Sequence, residues 1–408
     1  MQHTGKKYFT TAMNSFPKDW QILDLDKVGK FSKGKGILKD QLLPAGLPCI
    51  RYGEIYTSHE YFVKNFYSFI SEETAKESQP IKKNVVLFSG SGETLEDIGK
   101  AIADIGEEAA YAGGDVIILS VNGKADPVYL SYMLNSDFIN WQKRRFGQGH
   151  SVVHIYPSDL ATLKVPVAPL HEQLKIASIL RSCDTSIETT QKLIIVKERL
   201  KNDLMQQLLT GRKRLKGFNE DWEEKTLGDI GKIRMCKRVF SYETSVEGDI
   251  PFYKIGTFGN EADAFISKEL YDNYRKRFSF PKKGDILISA SGTLGRTVIY
   301  DGSPAYFQDS NIVWIENNES IIMNSYLYYV YQIVRYESEG GTIQRLYNNI
   351  ISNAKFLLPS LPEQRKIASI LGACDNEISL LKSQHNALHQ QKRGLMQVLL
   401  TGEVRVKT

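Results

Sequence analysis

Arginine, lysine and glutamine recur in short glycine-bounded stretches of this chain, a combination suited to hydrogen bonding with phosphates and nucleic-acid base edges. An arginine fork donates two parallel bonds to guanine, glutamine exchanges bonds with adenine, and lysine mostly meets phosphate as a point charge. In the first half FSKGKG offers Lys33 and Lys35, IRYGE offers Arg51, and QKRRFGQGH offers Arg144, Arg145, Gln148 and His150. In the second half RMCKR offers Lys237 and Arg238, FYKIG offers Lys254, and NYRKRF offers Arg275, Lys276 and Arg277. Farther on, SGTLGR offers Arg296 and GGTIQRL offers Gln344 and Arg345. Any one of these is equally well an ordinary solvated surface charge. Together they carry more, because GQGH and GGTIQR stand at corresponding places in the two halves. The net charge of +5 on 408 residues permits a polyanionic partner without requiring one.

Residues for catalysis do not assemble in the same way. No Pro-Pro dipeptide occurs, so the N/D-P-P-Y/F motif of amino-methyltransferases is absent, and so is the G-x-x-x-x-G-K-[ST] phosphate loop. VLFSGSGET lacks the G-x-S-x-G spacing of a nucleophile elbow. It parallels LISASGTLG, sharing Ser89 with Ser289 and Ser91 with Ser291. That pair reads as a strand ending in a tight glycine turn, or else as a loop holding a phosphate through hydroxyls and backbone N–H groups. The seven histidines show no metal-ligand spacing, and Cys49, Cys183, Cys236 and Cys374 include no C-x-x-C pair. No catalytic, cofactor or metal residue is therefore assigned. No apolar run approaches the roughly eighteen residues of a membrane helix, and MQHTGKKYFTTAMNSF lacks the apolar core of a signal peptide. The expectation is a reducing, cytoplasmic setting without a membrane.

What must position the basic loops is legible as an internal duplication. His171–Gly211 aligns without a gap on Pro362–Gly402, with 19 identities in 41 positions. Upstream, Asp19, Trp20, Leu25 and Gly29 of FPKDWQILDLDKVGK match Asp221, Trp222, Leu227 and Gly231 of FNEDWEEKTLGDIGK. KKNVVLFSGSG parallels KKGDILISASG, and LPCIRYGEI parallels IPFYKIGTF. The offset is 222 − 20 = 202 at the tryptophan and 363 − 172 = 191 at the helical motif, so the second globular part is shorter by 202 − 191 = 11 residues. Between landmarks the copies diverge. The implied division is 1–169 and 216–360 for two globular domains, with 170–215 and 361–408 for two helical spacers.

The globular parts read as α+β. NVVLFSG, GGDVIILSV, GDILISAS, RTVIY and NIVWIE predict strands, YLSYML and SYLYYVYQIV predict helices, and a single strongly curved sheet is expected in each part. In the spacers, Ile367, Leu371, Cys374, Ile378, Leu381, His385, Leu388, Lys392, Leu395 and Leu399 alternate steps of four and three. The same phase in the first copy gives Ile176, Leu180, Cys183, Ile187, Thr190, Ile194, Lys197, Lys201, Leu204 and Leu208. This is a coiled-coil seam with lysines and His385 as blemishes. Asp184 and Asp375 read as caps between a shorter and a longer helix, and Gly211 and Gly402 as terminators. Neither stripe can be buried alone, so the two long helices are expected to pair as an antiparallel coiled coil. A long portion of ~26 residues would run ~39 Å, roughly eleven base pairs of duplex.

Tryptophan near the start of each unit, a divergent domain, and then PL-x-EQ-x-KIA-x-IL…D…LMQ-x-LLTG resembles, twice over, the specificity subunit of type I restriction-modification systems. The carriers are Pro169, Leu170, Glu172, Gln173, Ile176, Ala177, Leu180, Asp184, Leu204, Met205 and Gly211 in the first copy. In the second they are Leu361, Pro362, Glu363, Gln364, Ile367, Ala368, Leu371, Asp375, Leu395, Met396 and Gly402. His171 departs from the pattern, standing where the second copy has Pro362. The resemblance implies two pseudo-symmetric target recognition domains, each reading one half of a bipartite, asymmetric double-stranded DNA sequence. It implies that the helices set the gap and dock two methyltransferase subunits, with motor-nuclease subunits joining for cleavage. S-adenosylmethionine, ATP and magnesium would then sit on those partners, and this chain would catalyse nothing. Other readings are a protein–protein scaffold that never meets DNA, a nuclease with dispersed carboxylates, and a specificity subunit of a methylation-only system.

Overall fold

Two helices of 39 residues each, Leu170–Leu208 and Leu361–Leu399, frame the architecture. The structure, a computed structural model, describes residues 15–92, 94, 98–104, 106, 109–147, 153–292, 294–336, 346 and 348–407. The chain divides into two compact units: Met1–Thr190 with Gln384–Thr408, and Gln191–Ser383. Each unit holds one globular part, half of the central helix and half of the C-terminal helix.

In the first unit a five-stranded sheet runs in the order Gly29–Lys33, Val116–Val121, Val85–Ser89, Ala101–Asp104, Phe62–Val63. Val116–Val121 is antiparallel to both its neighbours, with Leu119 opposite Phe31 and Val86. A second sheet orders Ser68–Ile70, Leu47–Ile50, Ala110–Ala112, Gln79–Ile81, the middle pair parallel. The all-apolar run Val85–Phe88 is buried completely, as a strand covered on both faces requires. Helix Pro127–Leu134 starts at Asp126, whose carboxylate accepts the Tyr129 N–H at 2.8 Å.

In the second unit the sheet order is Lys232–Met235, Ile312–Glu316, Ile286–Ser289, Thr297–Ile299. The companion sheet orders Phe265–Ile266, Ile250–Tyr253, Tyr306–Phe307, again with the last pair parallel. In the two main sheets this is, strand for strand, the first unit's order without Phe62–Val63 and Gln79–Ile81; the first unit's small pair Ser91–Gly92 with Val153–His154 has no counterpart among the second unit's described residues. The five predicted strands and two predicted helices all form. Each globular part, however, carries two main sheets rather than the single one expected, because short strands separated by tight turns bury more apolar surface as two packed layers. A further antiparallel pair closes each unit, Gln21–Asp24 with Lys164–Val167 and Glu223–Thr226 with Lys355–Leu358.

The repeated motif explains itself at the start of each long helix. Glu172 is 2% exposed; its carboxylate accepts the Trp20 indole N–H at 3.0 Å and two N–H groups of Arg405 at 2.8 Å. In the second unit Glu363 accepts Trp222 at 2.8 Å and Arg214 at 3.1 and 3.0 Å. The neighbouring glutamines act as backbone clamps. Gln173 accepts the Asp126 N–H and donates to the carbonyls of Lys124 and Ala168, while Gln364 accepts from Met323 and donates to Ile321 and Pro359. Gly211 and Gly402, at φ +69° and +70°, close the helices with bonds from Lys213 to Gln207 and from Val404 to Val398.

Asp184 and Asp375 cap nothing: each lies inside one uninterrupted helix, so the predicted break and the ~26-residue length are both corrected. Each is seated instead in the seam. In the first unit Lys392 and the Tyr132 hydroxyl both donate to Asp184, and the Lys392 ammonium stands 3.9 Å from the Tyr61 ring centre. In the second, Lys201 pairs with Asp375 at 2.6 Å and the Tyr329 hydroxyl donates to it at 2.7 Å. Two of the apparent blemishes, Lys392 and Lys201, are thus the partners of the apparent caps, while Lys197 pairs with Glu377 at 2.6 Å. Within each unit these pairs join early residues of one helix to late residues of the other, which makes the pairing antiparallel.

Asp184→Ala would leave the buried Lys392 ammonium only the exposed Glu60 carboxylate at 3.8 Å and the Tyr61 ring, and should cost ~3 kcal/mol. The double variant Asp184→Leu/Lys392→Met should recover most of that loss. Urea unfolding of the full chain checks both.

Candidate nucleic-acid interface

In the first unit the strand Gly29–Lys33 delivers Lys33 and Lys35 to a turn at Ala112–Asp115. The crossing is close: a Cβ added to Gly34 would lie 1.9 Å from the Gly113 carbonyl oxygen, so only glycine fits. The Lys35 N–H bonds the Ala112 carbonyl at 3.1 Å, and the Lys33 ammonium lies 3.8 Å from Asp115. Arg51 borders the same turn. Its N–H is fixed by the Glu54 carboxylate at 2.8 Å, and its stem lies against Gly113. Lys33 and Lys35 are therefore gathered at one turn with Arg51, which lies 51 − 35 = 16 positions further along. Arg144 and Arg145 form a separate exposed pair following helix Asp137–Lys143, with the Arg145 guanidinium 5.1 Å from the Trp141 ring. Gln148 and His150 lie outside the described residues, as do Gln344 and Arg345.

In the second unit the cations gather over aromatic rings. Helix Lys268–Arg277 puts Arg275, Lys276 and Arg277 in its last turn, where the helix dipole favours positive charge. Arg275 lies 5.5 Å from Phe280, Arg277 lies 5.6 Å from Phe278, and Lys237, in the loop after strand Lys232–Met235, reaches the same Phe278 at 5.4 Å. Tyr274 of this helix donates to Glu243 at 3.2 Å, and burial followed by that carboxylate raises its hydroxyl pKa. Three sequence candidates are committed to internal partners. Arg238 pairs with Asp309 at 2.9 Å, Lys254 with Asp263 at 2.8 Å, and Arg296 donates to the Phe258 carbonyl at 2.8 Å. Arg238 stays largely exposed, whereas Arg296 ties its loop to the one that carries Phe258.

The serine loops follow the structural reading. Ser89 donates to the Ser91 carbonyl, Ser91 shares a bond with His154, Ser289 accepts the Arg296 N–H, and Ser291 donates to Asn311. Among the described residues the four hydroxyls are used internally, in keeping with a strand ending in a tight turn. Burial pushes the thiols of Cys49 and Cys236, adjacent to the basic loops, up to about 12, which rules out nucleophilic thiolates there. Among the described residues no His, Cys, Asp and Glu cluster suits a metal ion. Sequence reasoning passed over Phe240 and Tyr242, exposed rings stacked in parallel with centres 5.6 Å apart. The signal that would have found them is local: two aromatics two residues apart beside RMCKR, in a stretch with no apolar periodicity to bury them.

The comparisons agree with this geometry. A family model described as "Type I restriction modification DNA specificity domain" matches twice, over residues 17–198 and 219–390. A putative type I restriction enzyme specificity subunit of Haemophilus influenzae is 44% identical over 265 residues, covering 64% of this chain and 67% of the relative. The putative type I restriction enzyme MjaX specificity subunit of Methanocaldococcus jannaschii is 28% identical, covering 98% of this chain and 96% of the relative. The crystal structure of a type I restriction-modification S subunit from M. genitalium shares the fold, with TM-score 0.62, 19% identity, 95% of this chain and 96% of that one covered. With two matched domains, one in each unit, and no competing chemistry among the described residues, the chain belongs to the type I restriction modification DNA specificity domain family, as a specificity subunit with two DNA recognition domains.

Proposed function

We propose that each unit reads one half of a bipartite, asymmetric duplex target, while the long helices set the gap and dock two methyltransferase subunits. The observation that carries this is a contrast within one chain. Strand order, the Trp–Glu–Arg clamp and the helical seam are duplicated, while the cationic loops they present differ: a lysine–arginine turn in one unit, arginines over aromatic rings in the other. A shared frame positions both heads alike; unlike loops meet unlike base edges.

The chain itself performs no reaction in this reading. S-adenosylmethionine belongs to the methyltransferase partners, and ATP and magnesium to motor-nuclease partners that join for cleavage. The partner extrudes the target adenine from the stack, because its amino group is unreachable within the duplex. The four free cysteines and the lack of a membrane-length apolar helix among the described residues are in keeping with work on cytoplasmic DNA.

Arg145→Ala in the first unit and Arg277→Ala in the second should each weaken binding by ~1–3 kcal/mol through one half-site only, if the contact is to a base. Competition with duplexes altered in a single half-site measures this, and equal weakening on every sequence would instead assign a phosphate contact. The spacer role gives a second expectation. Seven residues inserted into each long helix add ~10 Å and should widen the preferred gap by roughly three base pairs. Sequencing of duplexes selected by the lengthened chain reads the gap directly; an unchanged gap would rule out the spacing role.

A further inference from the structure

The loop that follows the first cationic strand is built the same way in both units. In the first, the Leu38 N–H bonds the Gln41 side chain at 2.8 Å across a single 3-10 turn, Lys39–Gln41. In the second, the Phe240 N–H bonds the Glu243 carboxylate at 2.8 Å across Ser241–Glu243. The positions correspond at the offset of the tryptophans, 240 − 38 = 202. Each turn lifts apolar side chains into solvent. Leu38 is 63% exposed, Phe240 47% and Tyr242 81%, and Val246, three residues past the second turn, is 84% exposed. Exposed apolar groups of this size, held on a braced turn, mark a contact surface.

The charge around the tip selects the occupant. Lys237 and Arg238 lead into it, and Glu243 ties it to Tyr274 on the helix that ends in Arg275, Lys276 and Arg277. Such surroundings favour a polyanion over an apolar protein face. On a duplex the apolar group displayed at a base edge is the thymine methyl in the major groove; the rest of that edge is donors and acceptors. Phe240 and Val246 carry no side-chain hydrogen-bonding atom, so their match is that methyl. Resting on the assignment of this unit as a DNA-reading head, we propose that the stacked Phe240–Tyr242 tip is a specificity element that contacts thymine methyl groups in the second unit's half-site. Leu38, being aliphatic and differently shaped, occupies the same place in the first unit and contributes to a different half-site.

The test uses the full chain and a pool of random duplexes. Wild type should enrich two half-sites, one with thymine at a fixed position, and replacing that thymine by deoxyuridine should weaken binding roughly fourfold, in line with one buried methyl group lost. Tyr242→Ala/Phe240→Ala should lose the thymine preference and the deoxyuridine effect in that half-site alone, while Tyr242→Phe keeps both, since the ring rather than the hydroxyl is used. The exposure of both rings makes an unchanged thermal midpoint the expected control. A double variant that retains wild-type thymine preference, or a wild type that binds deoxyuridine and thymine equally, overturns the inference. A variant that keeps its DNA preference but fails to bind methyltransferase subunits does so too, and reassigns the tip to a protein contact. If wild type enriches no half-site at all, it is the DNA-reading assignment itself that fails.

Discussion

A single carboxylate at the first turn of each long helix governs how the rest is assembled. Glu172 and Glu363 are removed from water, a state that is tolerable only with charged, hydrogen-bonded partners. Their partners come from two places far from the helix start in sequence: the tryptophan that opens the globular part, and an arginine following the other long helix. Arg405 stands 405 − 214 = 191 residues beyond Arg214, so the clamp obeys the same offset as the helical repeat. Meeting one electrostatic demand therefore fixes the strand entrance, the helix register and the helix ending together.

The seam adds a second demand of the same kind. An apolar heptad stripe is permissive about sliding, because leucine packs on leucine at many offsets. A lysine and an aspartate that must meet are not permissive. Asp184 with Lys392 and Asp375 with Lys201 set one register, and the tyrosines that donate to each aspartate extend that register into the globular parts. Burial and the neighbouring aspartate both raise the pKa of the Tyr132 and Tyr329 hydroxyls, so they remain donors throughout the physiological range.

Much of this was legible in the residues. The strands were readable because β-branched runs bounded by glycine or asparagine are local signals, and the helices because their period is. The duplication exposed the frame even where its purpose was hidden. What failed was anything decided by a distant partner. Asp184 reads as a cap when only its neighbours are considered; its seat in the seam depends on Tyr132 and on a lysine 392 − 184 = 208 positions away. Arg296 and Lys254 read as free cations because Phe258 and Asp263 cannot be placed without the fold. The Lys33–Lys35–Arg51 gathering likewise needed the close crossing at Gly34 to become visible.

The two units are assembled from the chain in different ways, and synthesis will feel the difference. Gln191–Ser383 is contiguous, so its core is complete once that stretch has left the ribosome. The other unit buries Leu399 and Leu400 in the same cluster as Trp20 and Ile176, and Arg405 seals Glu172. That core therefore cannot close before residues 384–407 have been made, after the whole of the contiguous unit. The unit that holds Trp20 thus depends on sequence-distant residues for closure in a way that the contiguous unit does not.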